Sequence, residues 1–183
     1  MRKELYGKIC QTLCRLVEFE DGSRGVYMPS ACGSEADASG TVAGTVELPA
    51  GAVRLIKHVD LWNHNVEFLE QEEGWERPAV FVEFCPIRWE ALVPGMHYRA
   101  EPTVNLHVVT DWTGGMSADS ELGEENLKVF DLLDDIHAAL TCMNGETFLR
   151  FDLVESYTNH NHEDLLENIE SYRCVAVKEV ERN

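Results

Sequence analysis

Basic residues are scarce in this 183-residue chain, which has 15 lysines and arginines against 33 aspartates and glutamates and a formal net charge of −18. Proteins that hold nucleic acid or lie on anionic membranes do so mainly through basic side chains, so this balance argues against both classes. No apolar run approaches the roughly 20 residues that a membrane-spanning helix needs, and no secretory leader is predicted at the N-terminus. We therefore expect no membrane partner and a reducing compartment.

The motifs that mark common enzyme classes are also missing. The chain has no Gly-x-Ser-x-Gly nucleophile motif, no glycine-rich phosphate loop and no Cys-x-x-Cys zinc spacing. Its six cysteines are scattered, and we expect them to be buried free thiols that pack as small apolar side chains. Because no catalytic constellation is recognisable, the sequence predicts no enzyme activity and no cofactor.

What is present is a normal apolar content of 44%, enough for one folded domain over residues 1–183. Leu5, Ile9, Leu13 and Leu16 recur at helical spacing and predict an amphipathic helix over 2–17. A second helix is predicted over 119–140, and its acidic residues Asp131, Asp134 and Asp135 are expected to face away from the core. Its predicted apolar stripe consists of Leu127, Phe130, Leu133, Ile136 and Leu140.

The remaining segments favour strands, with one exception. Residues 18–52 are rich in glycine, serine and alanine and cannot build a core of their own, so we expect an inserted arm there. Apolar and alternating patterns predict strands over 53–62, 78–84, 98–112, 147–158 and 169–180, with a hairpin turn at Pro94-Gly95. The predicted fold is α+β, a single mainly antiparallel β-sheet packed by two helices, in the order α-arm-β-β-β-α-β-β.

Four histidines raise the possibility of a metal site. His58 and His64 bracket Asp60, and His160 and His162 precede Glu163. Imidazole and carboxylate together suit zinc, manganese or iron, so a metal-dependent hydrolase is one hypothesis. The competing interpretation is a set of polar turns in which asparagine side chains bond back to the backbone. Elemental analysis of the purified protein separates the two.

Large aromatic residues lie at predicted strand ends and connections. Such side chains often anchor protein–protein interfaces, because they bury a large area at a small entropic cost, but they can equally cover the protein's own sheet. The candidates for interface contacts are Trp62, Trp75, Trp89 and Tyr27.

The order of elements resembles the tail terminator proteins of long-tailed bacteriophages, the group that includes the lambda tail terminator. The resemblance rests on the N-terminal helix, the strand at 78–84, the long strand that ends in Thr110-Asp111-Trp112, the helix before residue 140 and two closing strands. The stretches at 62–68 and 157–163 also look like those of prophage proteins from gut bacteria. The long arm departs from the shorter family loop.

This resemblance implies a non-enzymatic virion protein, made in the host bacterial cytoplasm, that forms a homo-oligomeric ring, which the family pattern makes hexameric. Such a ring caps the tail tube protein, stops its polymerisation and meets a neck or head-completion protein, while DNA passes through without specific binding. Two other hypotheses remain beside the metal-dependent hydrolase. One is another head–tail joining protein, and the other is an acidic mimic of DNA that inhibits host proteins.

Overall fold

The computed structural model describes residues 1–28, 48–66, 74–112, 123–159 and 164–180. In these residues the chain forms an α+β fold with one small sheet of three strands and one large sheet of seven, where the sequence predicts a single sheet. The elements are α1 Arg2–Leu13, β1 Leu16–Glu18, β2 Arg24–Val26, β3 Val53–Arg54, β4 His58–Leu61, β5 Ala79–Phe84, β6 Glu90–Val93, β7 His97–Ala100, β8 Thr103–Asp111, α2 Gly123–Leu140, β9 Phe148–Asn159 and β10 Leu165–Glu179.

The small sheet has the order β2-β1-β3. Its central strand β1 contains residues 16 and 17, which the sequence predicts as the end of the first helix. Helix α1 ends at Leu13, and Leu16 is buried in β1 instead of in a last helical turn. Strand β2 lies inside the predicted arm, where Arg24 forms ion pairs with Glu18 at 2.8 Å and with Asp135 of α2 at 3.2 Å. Residues 29–47 of the predicted arm lie outside the described residues.

The large sheet is built around the long strand β10, which has antiparallel neighbours on both sides. Strands β7 and β8 pair with β10 in one unbroken register, from His97 opposite Glu179 to Asp111 opposite Leu165. The predicted strand over 98–112 is therefore confirmed, with an interruption at Pro102, which has no backbone N–H for the ladder. Strand β9 pairs with the other side of β10.

The hairpin turn predicted at Pro94-Gly95 is confirmed. The Met96 backbone N–H donates to the Val93 carbonyl at 3.0 Å, and Gly95 has a φ of 77°. Proline followed by a residue with positive φ is the arrangement of a type II turn, which explains the glycine.

The predicted strand over 53–62 is wrong as one element. Its ends belong to different sheets, because β3 pairs with β1 while β4 runs parallel to β5 at the edge of the large sheet. Ile56, between them, is buried in the main core. A segment rich in branched residues does not reveal that the chain changes sheets in its middle.

Both helices cover the same face of the large sheet, which we call the helix face. Its core contains Leu5 and Ile9 of α1, Ile136 of α2 and the side chains of Leu106 and Tyr172 from the central strands, all of them fully buried. The opposite face, which we call the outer face, has a smaller apolar cluster of Val66, Ala79, Phe81, Val109 and Leu165. Strand residues alternate between these two cores, as pleating requires.

The predicted apolar stripe of α2 is correct at Ile136 and Leu140 but wrong towards the helix start. Leu127 is 51% exposed and Phe130 48% exposed, whereas Val129 and Leu132 are buried. Both sets have helical spacing, so periodicity alone does not choose between them. The helix therefore has apolar side chains on two faces.

Glu4 joins α1 to the turn before β9. Its carboxylate accepts hydrogen bonds from the Glu146 and Thr147 backbone N–H groups and from the Thr147 hydroxyl. Although partial burial raises the pKa of Glu4, these hydrogen bonds stabilise the ionised form and hold the pKa below its usual value. The first turn of α1 is thus connected by a charged side chain to the segment between α2 and β9.

The prediction of buried thiols holds for only part of the cysteines. Cys10 and Cys174 are buried, and burial raises the pKa of each thiol to about 11. Cys142 is exposed after the end of α2, and Cys32 lies outside the described residues. No helix of the described part of the chain is long and apolar enough to cross a membrane.

Candidate functional site

The first half of β10 is buried on both faces, and it brings a buried polar network onto the outer face. His107 of β8 is 5% exposed and Glu167 of β10 is 1% exposed, with His107 Nδ1 and Glu167 Oε1 separated by 2.6 Å. His107 Nε2 lies 3.3 Å from Glu83 Oε2, and the Asn105 amide donates to the same oxygen at 2.7 Å. The Asn159 amide donates to the second oxygen of Glu167 at 2.6 Å.

The network is closed from above by Trp62, whose ring stacks on His107 with centroids 3.8 Å apart and an interplanar angle of 2°. A carboxylate as deeply buried as Glu167 is stable only when it is hydrogen-bonded and paired, and this arrangement provides both. The alternation of Asn105 and His107 with valines and leucines indicates a polar face in β8, but the sequence does not show which carboxylates meet it.

The four interface candidates divide into two groups. Trp62 and Trp75 are half-buried and pack within the chain. Trp62 stacks on His107, and the Trp75 ring meets Phe81 edge to face with centroids 5.0 Å apart. Tyr27 is also half-buried, and its backbone N–H donates to the Arg15 carbonyl oxygen at 2.8 Å. Trp89 is 37% exposed, in the connection between β5 and β6. The contacts of Trp62 and Trp75 favour the interpretation that they cover the chain's own sheet.

The histidines of the metal hypothesis are only partly described. His58 lies beside the rings of Trp75 and Phe81, with centroid distances of 6.5 and 5.6 Å. His64 adopts a left-handed backbone with a φ of 57° and lies 5.9 Å from the Trp62 ring. His160 and His162 lie outside the described residues. Within the described ranges, no three histidine, cysteine or acidic residues are grouped as a metal site requires.

The second half of β10 is covered on the helix face but open on the outer face. Val177 of β10 is 48% exposed, Leu149 of β9 56% and Val93 of β6 44%. The register places all three on the outer face, on β6, β9 and β10, with His97 and Arg99 of the intervening β7 on the same face, and exposed Arg173 follows on that face of β10. We call Val93, Leu149 and Val177 the sheet patch.

A second exposed apolar surface lies on α2, which covers the helix face of the large sheet. Leu127 and Phe130 form this helix patch, and exposed Asp131 lies beside them. Isolated exposed apolar residues are common, but grouped ones on a soluble protein often mark an interaction surface. Sequence analysis missed both patches, since it assigned Leu127 and Phe130 to the core and singled out only aromatic residues elsewhere.

Between α2 and the β9–β10 hairpin lies a cavity of about 280 Å³ that the sequence does not suggest. Its walls are Phe130, Leu133, Asp134 and His137 from one face of α2, with Leu153, Ser156, Tyr157 and Thr158 of β9 and Asn168 and Glu170 of β10. The helical residues fall at helix spacing, so a single face of α2 forms the roof.

The floor of this cavity is polar. Thr158 donates its hydroxyl to Asn168 Oδ1 at 2.7 Å, and Ser156 donates to Glu170 Oε2 at 2.6 Å. Asn168 is 2% exposed and Glu170 6%. Burial raises the pKa of Glu170, since the charged carboxylate loses hydration there.

The sequence matches no protein-family model and no curated protein.

Proposed function

We propose that this protein is a non-enzymatic virion structural protein, a tail terminator whose subunits form a ring on the end of a bacteriophage tail tube. The observation that carries the proposal is the presence of two different exposed apolar surfaces, the sheet patch and the helix patch, on opposite sides of one subunit. The order of elements from which the resemblance to tail terminators arises is also present in the fold.

Two different patches on opposite faces favour a head-to-tail contact. If the sheet patch of one copy packs on the helix patch of the next, every copy repeats the same contact, and such a series closes into a ring when the rotation per subunit allows it. Both surfaces have charges of both signs at their edges, since Arg173 lies opposite Asp152 on the sheet-patch face and Lys128 and Asp131 lie beside the helix patch. Opposite charges at the edge of an interface steer and orient association.

The large negative charge of each subunit opposes this assembly. Copies that each carry a net charge of −18 repel one another, so the contact must gain its stability from apolar burial. An acidic bore would repel the phosphate backbone of DNA and let the genome pass without binding. The other partners of the ring would be the tail tube protein on one side and a neck or head-completion protein on the other.

The contact can be tested with two variants that each block one patch. Val177→Asp places a charge in the sheet patch and Leu127→Asp places one in the helix patch, and each variant alone should be monomeric. Mixed together, they should form one-to-one dimers and no rings, because each partner retains one intact patch. Val53→Asp, on an apolar residue that is 64% exposed outside both patches, is the matched control and should still form rings.

A ring that persists in both variants contradicts the proposed contact. A variant pair in which one mutation abolishes assembly and the other has no effect contradicts its head-to-tail geometry. The position in the particle separates a terminator from a neck protein. When tail tube protein polymerises in the presence of this protein, tubes of limited length with a ring at one end are expected by electron microscopy, whereas a neck protein would leave tube length unchanged.

A further inference from the structure

His107 is a buried histidine with a carboxylate at each of its two ring nitrogens. Its Nδ1 lies 2.6 Å from Oε1 of Glu167 on β10, and its Nε2 lies 3.3 Å from Oε2 of Glu83 on β5. A neutral imidazole has one donor nitrogen and one acceptor nitrogen, so it matches only one ionised carboxylate. The imidazolium form has two donors and matches both.

Amide groups beside the two carboxylates indicate that both are ionised. The Asn159 amide donates to Oε2 of Glu167 at 2.6 Å, and the Asn105 amide donates to Oε2 of Glu83 at 2.7 Å. Hydrogen bonds donated to a carboxylate stabilise its charged form. The two side chains therefore act as acceptors, and the protons between them and His107 belong to the ring.

The indole of Trp62 completes the surroundings of the ring. It lies flat on His107, with ring centroids 3.8 Å apart, and the face of an indole attracts a cation. The Trp62 backbone N–H donates to the Val82 carbonyl oxygen at 3.0 Å, which holds the segment after β4 against β5. His64 approaches the Trp62 ring, at a centroid distance of 5.9 Å. A charged His107 thus stabilises the position of Trp62 over the outer face.

The other titratable groups described around these strands indicate a negative environment. Burial and then the charge of Glu83 raise the pKa of the Cys85 thiol. Burial also raises the pKa of the Tyr157 phenol on β9, and the carboxylates that add to this effect are Glu83, Glu155 and Glu167. The same negative charges favour a positively charged histidine ring between the carboxylates.

We propose that His107 is a pH-sensitive latch of the outer face, whose imidazolium form joins Glu83, Glu167 and Trp62. The proton that leaves at higher pH is the one on Nε2, because it faces Glu83, whose side chain is 38% exposed, whereas Glu167 is almost fully buried. The lone pair on Nε2 then repels the Glu83 carboxylate, and Trp62 loses its attraction to a cation. The latch is therefore closed at lower pH and opens as the pH rises, the reverse of the Glu4 contact.

Nitrogen-15 NMR of the histidine rings in the full chain tests the latch. At about pH 7.5, one unit above the ordinary histidine value of about 6.5, the two ring nitrogens of His107 should have similar shifts, as in imidazolium. As the pH is raised further, the two shifts should separate, and the ring-current displacement that the Trp62 indole gives the His107 ring protons should shrink in parallel. A neutral His107 ring at about pH 7.5, or an unchanged Trp62 stack after the proton has left, would overturn the proposal.

Two variants complete the test. Glu83→Gln removes one carboxylate charge but preserves its shape, and it should lower the pH at which His107 loses its proton by about one unit, a tenfold change in the ratio of charged to neutral ring. Glu179→Gln is the matched control, because Glu179 pairs with the exposed His97 at the same 3.3 Å, at the other end of β10. It should leave the His107 signals unchanged, and equal effects of the two variants would contradict the latch. The latch residues belong to neither apolar patch, so this outcome is separate from that of ring assembly.

Discussion

Removal of one buried hydroxyl should make this protein more stable. Tyr172 is fully buried in the main core, and its ring stacks on Phe151 with centroids 4.7 Å apart and an interplanar angle of 3°. Its hydroxyl has no hydrogen-bond partner among the described residues, and burial raises the pKa of this group further above its usual value. Tyr172→Phe removes the oxygen and retains the stack.

The expected gain follows from two opposing terms. An unsatisfied buried polar group costs about 1–3 kcal/mol, which the substitution recovers. The space left by one oxygen, about 12 Å³, costs about 0.3 kcal/mol in lost packing. The free energy of unfolding should therefore rise by about 0.7–2.7 kcal/mol, which corresponds to a Tm increase of about 1–11 °C for a chain of this size.

Urea denaturation at neutral pH, with a thermal melt as the second measurement, checks this value. Tyr157→Phe is the matched control, because Tyr157 is 47% exposed whereas Tyr172 is fully buried. The control should change the free energy of unfolding by less than about 0.5 kcal/mol. A loss of stability above about 1 kcal/mol in Tyr172→Phe would refute the reasoning, since it would mean that the hydroxyl is well bonded in solution.

Three further substitutions test other parts of the fold. Glu4→Gln should lower the free energy of unfolding by about 1 kcal/mol at pH 7, a value reduced by the partial exposure of the group. The folded-state pKa of Glu4 is lowered, so the stabilisation is lost as the pH falls below the ordinary value of 4.5. Urea denaturation at several pH values should therefore show the difference between wild type and variant shrink over that range. Ile136→Ala should cost about 2–5 kcal/mol, while Leu127→Ala on the exposed face of the same helix should change stability by less than about 0.5 kcal/mol; similar losses for both would contradict the observed helix orientation. His107→Leu should lower the free energy of unfolding by about 3 kcal/mol, because it leaves Glu167 buried without its imidazole partner. In a double-mutant cycle measured by denaturation, the variant that also carries Glu167→Leu should recover much of that loss. Additive losses would argue against the pairing.

The parts of the fold that sequence reasoning captured are those with strong local signals. The spacing of Leu5, Ile9 and Leu13 specifies α1, and Pro94-Gly95 specifies a turn type with its own backbone requirement. The separation into two sheets was not predictable, because β3 and β4 are consecutive and equally apolar while their partners lie far away in sequence. Pairing partners are a property of the tertiary fold.

The candidate surfaces were harder to predict for a related reason. Helix α2 carries two apolar faces with the same periodicity, so the exposure of Phe130 depends on how the helix is rotated against the sheet. The buried pair of His107 and Glu167 joins side chains from two different strands. The unpartnered Asn168 amide is likewise a consequence of the tertiary fold. No local pattern marks such groups, since polar residues in strands are usually exposed.

The mass of the native assembly tests the central claim most directly. Native mass spectrometry of the purified protein at near-physiological ionic strength should show a closed oligomer, with six copies of the chain as the expected species. The Val177→Asp variant, measured under the same conditions, should give the mass of one chain. A wild-type protein that remains a single chain at every concentration tested would contradict the account of a ring-forming subunit.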